Sequence, residues 1–263
     1  MEKKLIDKIS VIGLVLLNNG AEIYRVEESI KKMLSAYGYV KNEVFAIPSF
    51  MSVSVTDLDG SVYTISKRST SSSINLDKIY ELNNLIRYIC DKRPNYDYIC
   101  IELNKLTSIQ PNKKLVFLGY GMTCGFFTLF FNGGFIETIV GFIIGFLLYF
   151  VDIYLKKYQI NMIISTIIKS IIIAFISLTC LRLNLITNLD SLTIGSLMIL
   201  VPGVAITNSL RDIVSSDYVS GVSRIAEAII IAVSIAVGVG FIYSLMGVIA
   251  WTIYKSLQLL LQA

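Results

Sequence analysis

Apolar and polar positions divide the chain into two regions with different patterns. In residues 1–113, segments of helical periodicity flank a stretch in which apolar and polar residues alternate. In residues 114–263, charged residues are sparse and long apolar runs follow one another. The pattern therefore predicts a small, mostly helical α+β domain over residues 1–113 and a transmembrane helical domain over residues 114–263.

The first region is predicted to hold four helices, a strand hairpin and an earlier short strand that Pro48 separates from the hairpin. The strand that contains Met51, Val53 and Val55 is expected to face Val62, Thr64 and their neighbours across an Asp-Gly turn, a strong hairpin signal. Turn residues and prolines mark the helix ends. The predicted helices run from the start of the chain to Asn19–Gly20, over residues 22–37 before Gly38, from Asn75 to Pro94, and over about 96–109.

The second region is predicted to cross a membrane several times. Its apolar stretches each approach the roughly 20 residues that a helix needs to span a bilayer. They cover residues 115–132, 134–151, 162–182, 191–210 and 225–250. We therefore expect a membrane α-helical bundle of about five transmembrane helices, preceded by a small cytoplasmic α+β domain.

Small residues recur every four positions in three of these stretches. Such spacing lets membrane helices approach closely, so it predicts a compact bundle or an oligomer interface. The residues are Gly121 and Gly125, Gly141 and Gly145, and the series Ala228, Ala232, Ala236 and Gly240.

The placement of basic residues predicts the orientation. Cytoplasmic loops of membrane proteins are enriched in Lys and Arg. A cytoplasmic N-terminus puts most of the basic loop residues inside, namely Lys113, Lys114, Lys156, Lys157, Arg211 and Arg224, and only Arg182 and Lys255 outside. We therefore expect a multi-pass protein of the bacterial cell membrane with its N-terminal domain in the cytoplasm and its C-terminus outside.

The composition limits the kinds of catalytic and binding sites that the chain can form. Hydrophobic residues make up 54% of the chain, which is typical of a membrane protein, and the net charge of +4 reflects cytoplasmic loops better than a nucleic-acid surface. The chain has no histidine, which excludes histidine-based catalysis and imidazole metal ligands, and its four cysteines lack metal or redox spacing. We therefore predict no catalytic residue, metal or cofactor, and no nucleic-acid partner.

Pro202–Gly203 interrupts an apolar run. Proline removes a backbone donor, and transporters place substrate sites where a membrane helix is broken in this way. One interpretation is a half-helix from Val204 whose N-terminus binds a carboxylate, with the side chains of Thr207 and Asn208 nearby. The alternative is a structural kink that a neighbouring helix relieves.

Charged residues follow the break. Arg211 and Asp212 end the fourth stretch, and Arg224 and Glu227 open the fifth on one helix face. They could form a gate or a carboxylate clamp in which an acid carries a proton. The alternative is anchoring at the membrane surface.

Four further charged residues are weaker candidates. Lys169 lies near the middle of the third stretch, so either the stretch is shifted until Lys169 reaches the cytoplasmic face or Lys169 lines a cavity. Glu22, Arg25 and Glu28 share one face of the second predicted helix, where a row of surface ion pairs would also explain them.

Two segments resemble the threonine/serine exporter family. The first is GAEIYRVEESI, residues 20–30, with the alternating stretch around Ile47–Pro48, and the second is LMILVPGVAITNSLRDIVSSDYVSGVSRIAEA, residues 197–228. The resemblance implies a cytoplasmic N-terminal domain, a helical membrane domain and export of small carboxylate-bearing solutes. It also implies the split branch of the family, in which a second small membrane subunit completes the transporter.

The resulting hypothesis is a secondary exporter of threonine/serine or of a dicarboxylate such as succinate. Without a nucleotide-binding motif, an ion gradient is the expected driving force, with protons as the ion. The expected partners are the lipid bilayer, the second small subunit, the solute, and further copies in a homo-oligomer or hetero-oligomer. Two alternatives are a membrane-anchored hydrolase-like enzyme that uses the N-terminal domain and a regulatory subunit of a transporter.

Overall fold

The structure is a computed structural model that describes residues 2–57, 59–69 and 73–261, with side chains described as far as residue 247. In chain order the elements are α1 (Glu2–Asn18), α2 (Ile23–Ala36), β1 (Asn42–Ile47), β2 (Phe50–Thr56), β3 (Val62–Arg68), α3 (Leu76–Lys92), α4 (Tyr96–Ser108), α5 (Lys113–Phe130), α6 (Phe135–Lys157), α7 (Met162–Arg182), α8 (Leu189–Leu197), α9 (Gly203–Val214) and α10 (Tyr218–Leu261).

Two compact units share these elements. One comprises Met1–Gln110 and Gly203–Glu227, and the other comprises Pro111–Pro202 and Ala228–Ala263. One division therefore falls between Pro202 and Gly203, where the sequence predicts a break. The segment that contains α9 packs with the N-terminal elements. Which residues lie in the cytoplasm or the membrane stays a prediction.

Helices cover one face of a three-stranded antiparallel sheet in the first unit. The strand order is β1-β2-β3, and α1 and α2 pack against the sheet and each other. Alternate residues of β2 are buried, and they meet fully buried isoleucines of the two helices. Burial of this apolar face stabilises the unit. The core includes Ile9, Ile12, Ile23, Ile30, Met33, Met51 and Val53.

The register of the β2–β3 hairpin differs from the predicted one. Val53 pairs with Ile65 and Val55 pairs with Tyr63, whereas Val62 and Thr64 lie on the exposed face. The reason is the connection: the strands are joined over residues 57–61 rather than by a two-residue turn. An offset of one residue moves a strand's side chains to the opposite face.

Asparagine residues begin many of the helices, because their side-chain oxygen accepts a hydrogen bond from an otherwise unpaired N–H of the first turn. These N-cap residues are Asn75, Asn95, Asn112, Asn161 and Asn188. At other ends glycine permits a left-handed turn: Gly20 follows α1 with a φ of 85°, and Gly38 follows α2 with a φ of 93°. The predicted helices of the first region are confirmed.

Glycines allow α5 and α6 to pack closely in the second unit. A Cβ added at Gly145 would lie 2.3 Å from the carbonyl oxygen of Tyr120 and 2.8 Å from the Cα of Gly121. A Cβ at Gly141 would lie 3.3 Å from the Cα of Gly125. The predicted close approach of these helices is confirmed.

The series of small residues in α10 is buried only at its first member, Ala228. Ala232, Ala236 and Gly240 are exposed, and the buried side of α10 instead runs through residues such as Ser234 and Gly238. Gly238 lies against α7, where an added Cβ would be 2.7 Å from the carbonyl oxygen of Ile167. An oligomer interface along the exposed series stays a prediction.

Three helices in the described part of the chain are long and apolar enough to cross a membrane. They are α6, α7 and the segment Tyr218–Gly247 of α10. Helical structure within residues 191–210 is interrupted, because α8 ends at Leu197 and α9 begins at Gly203, in agreement with the predicted break at Pro202–Gly203. That this stretch crosses a membrane stays a prediction. Short-range turns fill the gap, and Pro202 has no N–H with which to continue a helix.

Candidate functional site

The turn between α1 and α2 meets α9 and the start of α10 within the first unit. The carbonyl oxygen of Gly20 accepts a hydrogen bond from Asn208 Nδ2 at 3.2 Å, and the carbonyl oxygen of Ala21 accepts one from Arg224 at 3.0 Å. Segments 188 residues apart in sequence thus come together. The α2–α9 cluster denotes six side chains of this site: Glu22, Arg25, Asn208, Arg211, Asp212 and Arg224.

Glu22 is the acidic centre of the α2–α9 cluster. It occupies the N-cap position of α2, but its side chain makes no capping hydrogen bond. It instead forms ion pairs with Arg25, at 2.5 Å, and with Arg211. The Glu22 side chain is 11% exposed, whereas those of Arg25 and Arg211 are 56% and 53% exposed. The carboxylate is therefore held between two arginines that remain accessible.

Asp212 and Arg224 form a second, buried ion pair. Arg224 Nε lies 3.3 Å from Asp212 Oδ2, and the backbone N–H of Ile23 also faces the Asp212 carboxylate. Burial raises the pKa of Asp212 above its ordinary value, against the opposing effect of the Arg224 charge. The Asp212 carboxylate is therefore an acid that takes up a proton more readily than an exposed aspartate.

A cavity of about 130 Å³ opens beside Glu22. This space is large enough to hold several waters or one small solute. Its polar lining consists of Glu22, Arg25, Asn83 and Asn208, and its apolar lining includes Leu16, Leu76, Ile79 and Val204. The combination of an apolar wall with a few converging polar groups is typical of small-molecule sites.

Some predicted site residues lie outside this arrangement. The Thr207 hydroxyl donates to the carbonyl oxygens of its own helix, and Glu28 pairs with Lys32 at 2.7 Å rather than with Arg25. Arg224 binds Asp212 and Ala21 rather than Glu227, its neighbour on the helix face. Pro202 belongs to the second unit, and Gly203 begins α9.

Two features of the site were not predictable from the sequence. Asn83 lies four residues after Ile79 on α3, and this position on an apolar face is the only signal that could have identified it. The burial of Glu22 had no local signal, because it depends on Arg211 and the rest of α9. Across the described ranges, no group of three or more acidic or cysteine side chains is placed to hold a metal ion.

Lys169 has a partner that the sequence did not reveal. It forms an ion pair with Asp152 of α6 in the second unit, and its side chain is 13% exposed. A lysine at the centre of a membrane helix costs about 2.5–3.5 kcal/mol on insertion scales, so a countercharge is expected there. Asp152 escaped notice because it lies just beyond the predicted span 134–151.

Comparison with known proteins identifies the family. Residues 7–246 match the family described as "Putative threonine/serine exporter". Two relatives carry the name "Probable succinate transporter subunit YjjP". The one from Klebsiella aerogenes is 23% identical over 252 residues, which cover 95% of this chain and 97% of the relative. The one from Escherichia coli is 26% identical over 243 residues, which cover 91% and 93%.

No solved structure matches the chain. The family match covers most of the sequence and includes both units, and the three long apolar helices agree with a protein of the membrane. The chain belongs to the threonine/serine exporter family.

Proposed function

We propose that this chain is the larger subunit of a secondary exporter for small carboxylate-bearing solutes, either threonine and serine or a dicarboxylate such as succinate. The printed names of the family and of the two relatives support transport. The observation that carries the site assignment is the pair of accessible arginines on either side of the Glu22 carboxylate.

Arg211 binds the solute carboxylate, together with Arg25. Guanidinium groups bind carboxylates through two parallel hydrogen bonds, and Glu22 now occupies that position as a carboxylate of the protein itself. When the solute displaces it, Glu22 can accept the ammonium group of an amino acid. Asn208 supplies an amide at the cavity wall, and Arg224 holds the site together from its buried position.

An ion gradient drives export, and we propose protons as the ion. Asp212 is the acid of this site suited to respond to pH, because burial raises its pKa. Its protonation leaves the Arg224 guanidinium without a charged partner, so the contact between α9 and α10 depends on pH. Glu227 lies three residues beyond Arg224 and is a second candidate. The break at Pro202–Gly203 interrupts the helix between α8 and α9.

The membrane setting and the partner that we propose are those expected from the sequence. We propose about five membrane spans in a bacterial cell membrane, with the first unit in the cytoplasm. The word subunit in the relatives' names supports a second membrane protein as partner, and the assembly is a hetero-oligomer or also contains several copies of this chain. No nucleic acid takes part.

Flux from lipid vesicles tests the roles of the arginines. We expect Arg211→Ala to abolish efflux of labelled succinate and threonine, and Arg224→Ala to reduce the amount of folded protein. Arg87→Ala is the matched control, because Arg87 is an arginine of the same unit that does not line this cavity and binds Asn84. Full efflux by a variant with both Arg211→Ala and Arg224→Ala would falsify the assignment.

A second variant addresses the role of Glu22. Glu22→Gln removes the internal carboxylate that competes for Arg211, so we expect tighter binding of a dicarboxylate and weaker binding of an amino acid. Unchanged affinity for both solutes would rule out Glu22 as the resident carboxylate.

The two alternative functions have their own tests. A membrane-anchored enzyme would turn over a substrate without moving it across the vesicle membrane, whereas the family and the relatives' names indicate transport. A regulatory subunit would leave the partner able to transport by itself. Neither alternative has a specific observation in its favour.

A further inference from the structure

A buried charged cluster links α6 and α7 in the second unit. Asp152 on α6 forms ion pairs with Lys169 on α7 and with Lys156, at 2.6 Å, one turn further along α6. The side chains of Asp152 and Lys169 are 10% and 13% exposed, whereas that of Lys156 is 76% exposed. Both helices are long and apolar enough to cross a membrane.

Neither stability nor anchoring accounts for this pair. Replacing a buried ion pair by apolar side chains is often neutral or stabilising, so packing alone does not call for one. A lysine that anchors a helix extends its ammonium group toward water, as Lys156 does, whereas Lys169 turns toward Asp152. Ionisable side chains inside membrane proteins instead mark the paths of solutes, ions and protons.

The surroundings of Asp152 are polar. The groups that face its carboxylate are Lys156 from its own helix, Lys169 from α7 and the Tyr120 hydroxyl from α5. Tyr149 of α6 packs against Tyr120 with a centroid distance of 5.6 Å. The carboxylate therefore has hydrogen-bonding groups on several sides.

Buried hydroxyl groups without partners occur in the same unit. The oxygen atoms of Ser177 on α7 and of Thr193 and Ser196 on α8 are buried and have no hydrogen-bond partner. Polar atoms in this state are rare in proteins, because leaving a buried hydroxyl unpaired costs free energy. The interior of this unit thus offers unused polar groups to water or to a solute, independently of the ion pair.

We propose that Asp152 carries the coupling proton through the second unit and that Lys169 holds the carboxylate ionised until the proton arrives. A hydronium ion gives its proton to a carboxylate oxygen of Asp152, which becomes a neutral carboxylic acid and leaves Lys169 unpaired. The acid later returns the proton to water, and the ion pair forms again. This inference rests on the proposed transport function and adds a site distinct from Asp212, which belongs to the first unit.

Two fluxes from the same vesicles test this proposal. The vesicles contain the full chain with its partner subunit, as wild type, Asp152→Asn, or the double variant Asp152→Asn with Lys169→Gln. The first flux is exchange of labelled against unlabelled succinate or threonine at equal pH, and the second is net flux driven by a pH gradient. The double variant avoids an unpaired buried lysine. We expect it to keep exchange and to lose the pH-driven flux down to the rate of protein-free vesicles.

Two control variants separate coupling from structure. Lys156→Gln removes the exposed member of the cluster, so it should keep both fluxes. Glu137→Gln alters another buried carboxylate of α6, which accepts hydrogen bonds from Thr187 and Asn188, so any loss should affect both fluxes equally.

Several outcomes would overturn the proposal. Full pH-driven flux in the double variant would show that Asp152 carries no proton, and equal loss of both fluxes at normal membrane insertion would show a structural role. Absence of exchange in the wild type would instead contradict the proposed transport function, on which this inference rests.

Discussion

The side chains of the α2–α9 cluster differ in their freedom to move. Arg211 is more than half exposed and is bound to Glu22, whereas Arg224 is buried and is bound to Asp212 and the carbonyl oxygen of Ala21. An exposed arginine can exchange its partner for a solute at small cost, but a buried one would leave an uncompensated charge behind. The two arginines look equivalent in sequence, and only the structure shows that their burial and their partners differ.

Asp212 makes stability depend on pH. Its pKa is higher in the folded state than in the unfolded chain, so the folded state binds the proton more tightly. Stability contributed by protonated Asp212 is therefore present at low pH and is lost as pH rises from about 4 through the folded-state pKa. We expect the unfolding temperature in detergent to fall over this range in the wild type and to fall less in Asp212→Asn. A pKa difference of one between the two states corresponds to about 1.4 kcal/mol.

A second variant keeps this prediction testable if Asp212→Asn folds poorly. The charge of Asp217 also raises the pKa of Asp212, so Asp217→Asn should lower that pKa and shrink the pH-dependent loss. Equal pH profiles in the wild type and both variants would contradict a raised pKa at Asp212.

Close helix contacts in the second unit depend on glycines, which carry no Cβ. The backbones of α5 and α6 approach so closely at Gly145 that a methyl group there would meet main-chain atoms, which cannot rotate away. This feature was predictable, because glycines at four-residue spacing favour close helix packing. The series in α10 has the same spacing, but its members after Ala228 are exposed, since spacing does not say which face a neighbouring helix covers.

Gly145→Ala should destabilise the α5–α6 hairpin. The added Cβ would lie 2.3 Å from the carbonyl oxygen of Tyr120, so the helices must move apart. Overpacking of this kind costs about 1–3 kcal/mol, which a lower unfolding temperature in detergent would reveal. Gly119→Ala on α5 is the matched control, because nothing lies within 4 Å of its added Cβ. Equal unfolding temperatures for the two variants would contradict the close contact.

Across the whole molecule, local secondary structure was predictable from the sequence, whereas contacts between distant segments were not. Periodicity and turn residues identify the helices of the first region, but the exact β2–β3 register depends on the length of a connection. The break at Pro202–Gly203 was visible because proline cannot continue a helix. That the segment after it packs with the N-terminal elements was not visible, because the hydrogen bond between Asn208 and Gly20 joins residues 188 positions apart.

In the candidate site, too, the individual residues were predictable from local patterns, whereas the contacts between them were not. Arg211, Asp212 and Arg224 stood out as charges next to an apolar run, and Glu22 and Arg25 stood out as a helix face. No sequence pattern joins the two groups, since their contact depends on how α9 folds back. Asp152 went unnoticed because it lies just beyond the predicted span 134–151 and because its partner Lys169 comes from a separate helix.

Efflux from vesicles is the sharpest test of the proposal that this chain and a second subunit together export a small carboxylate-bearing solute. The chain is reconstituted with its proposed partner, a small multi-span membrane protein to be identified by copurification. Efflux of labelled succinate and threonine is then followed for the pair and for each protein alone. We expect efflux of at least one of these solutes from the pair and none from either protein alone. Full efflux by the partner alone, or no efflux of either solute from the assembled pair, would contradict it.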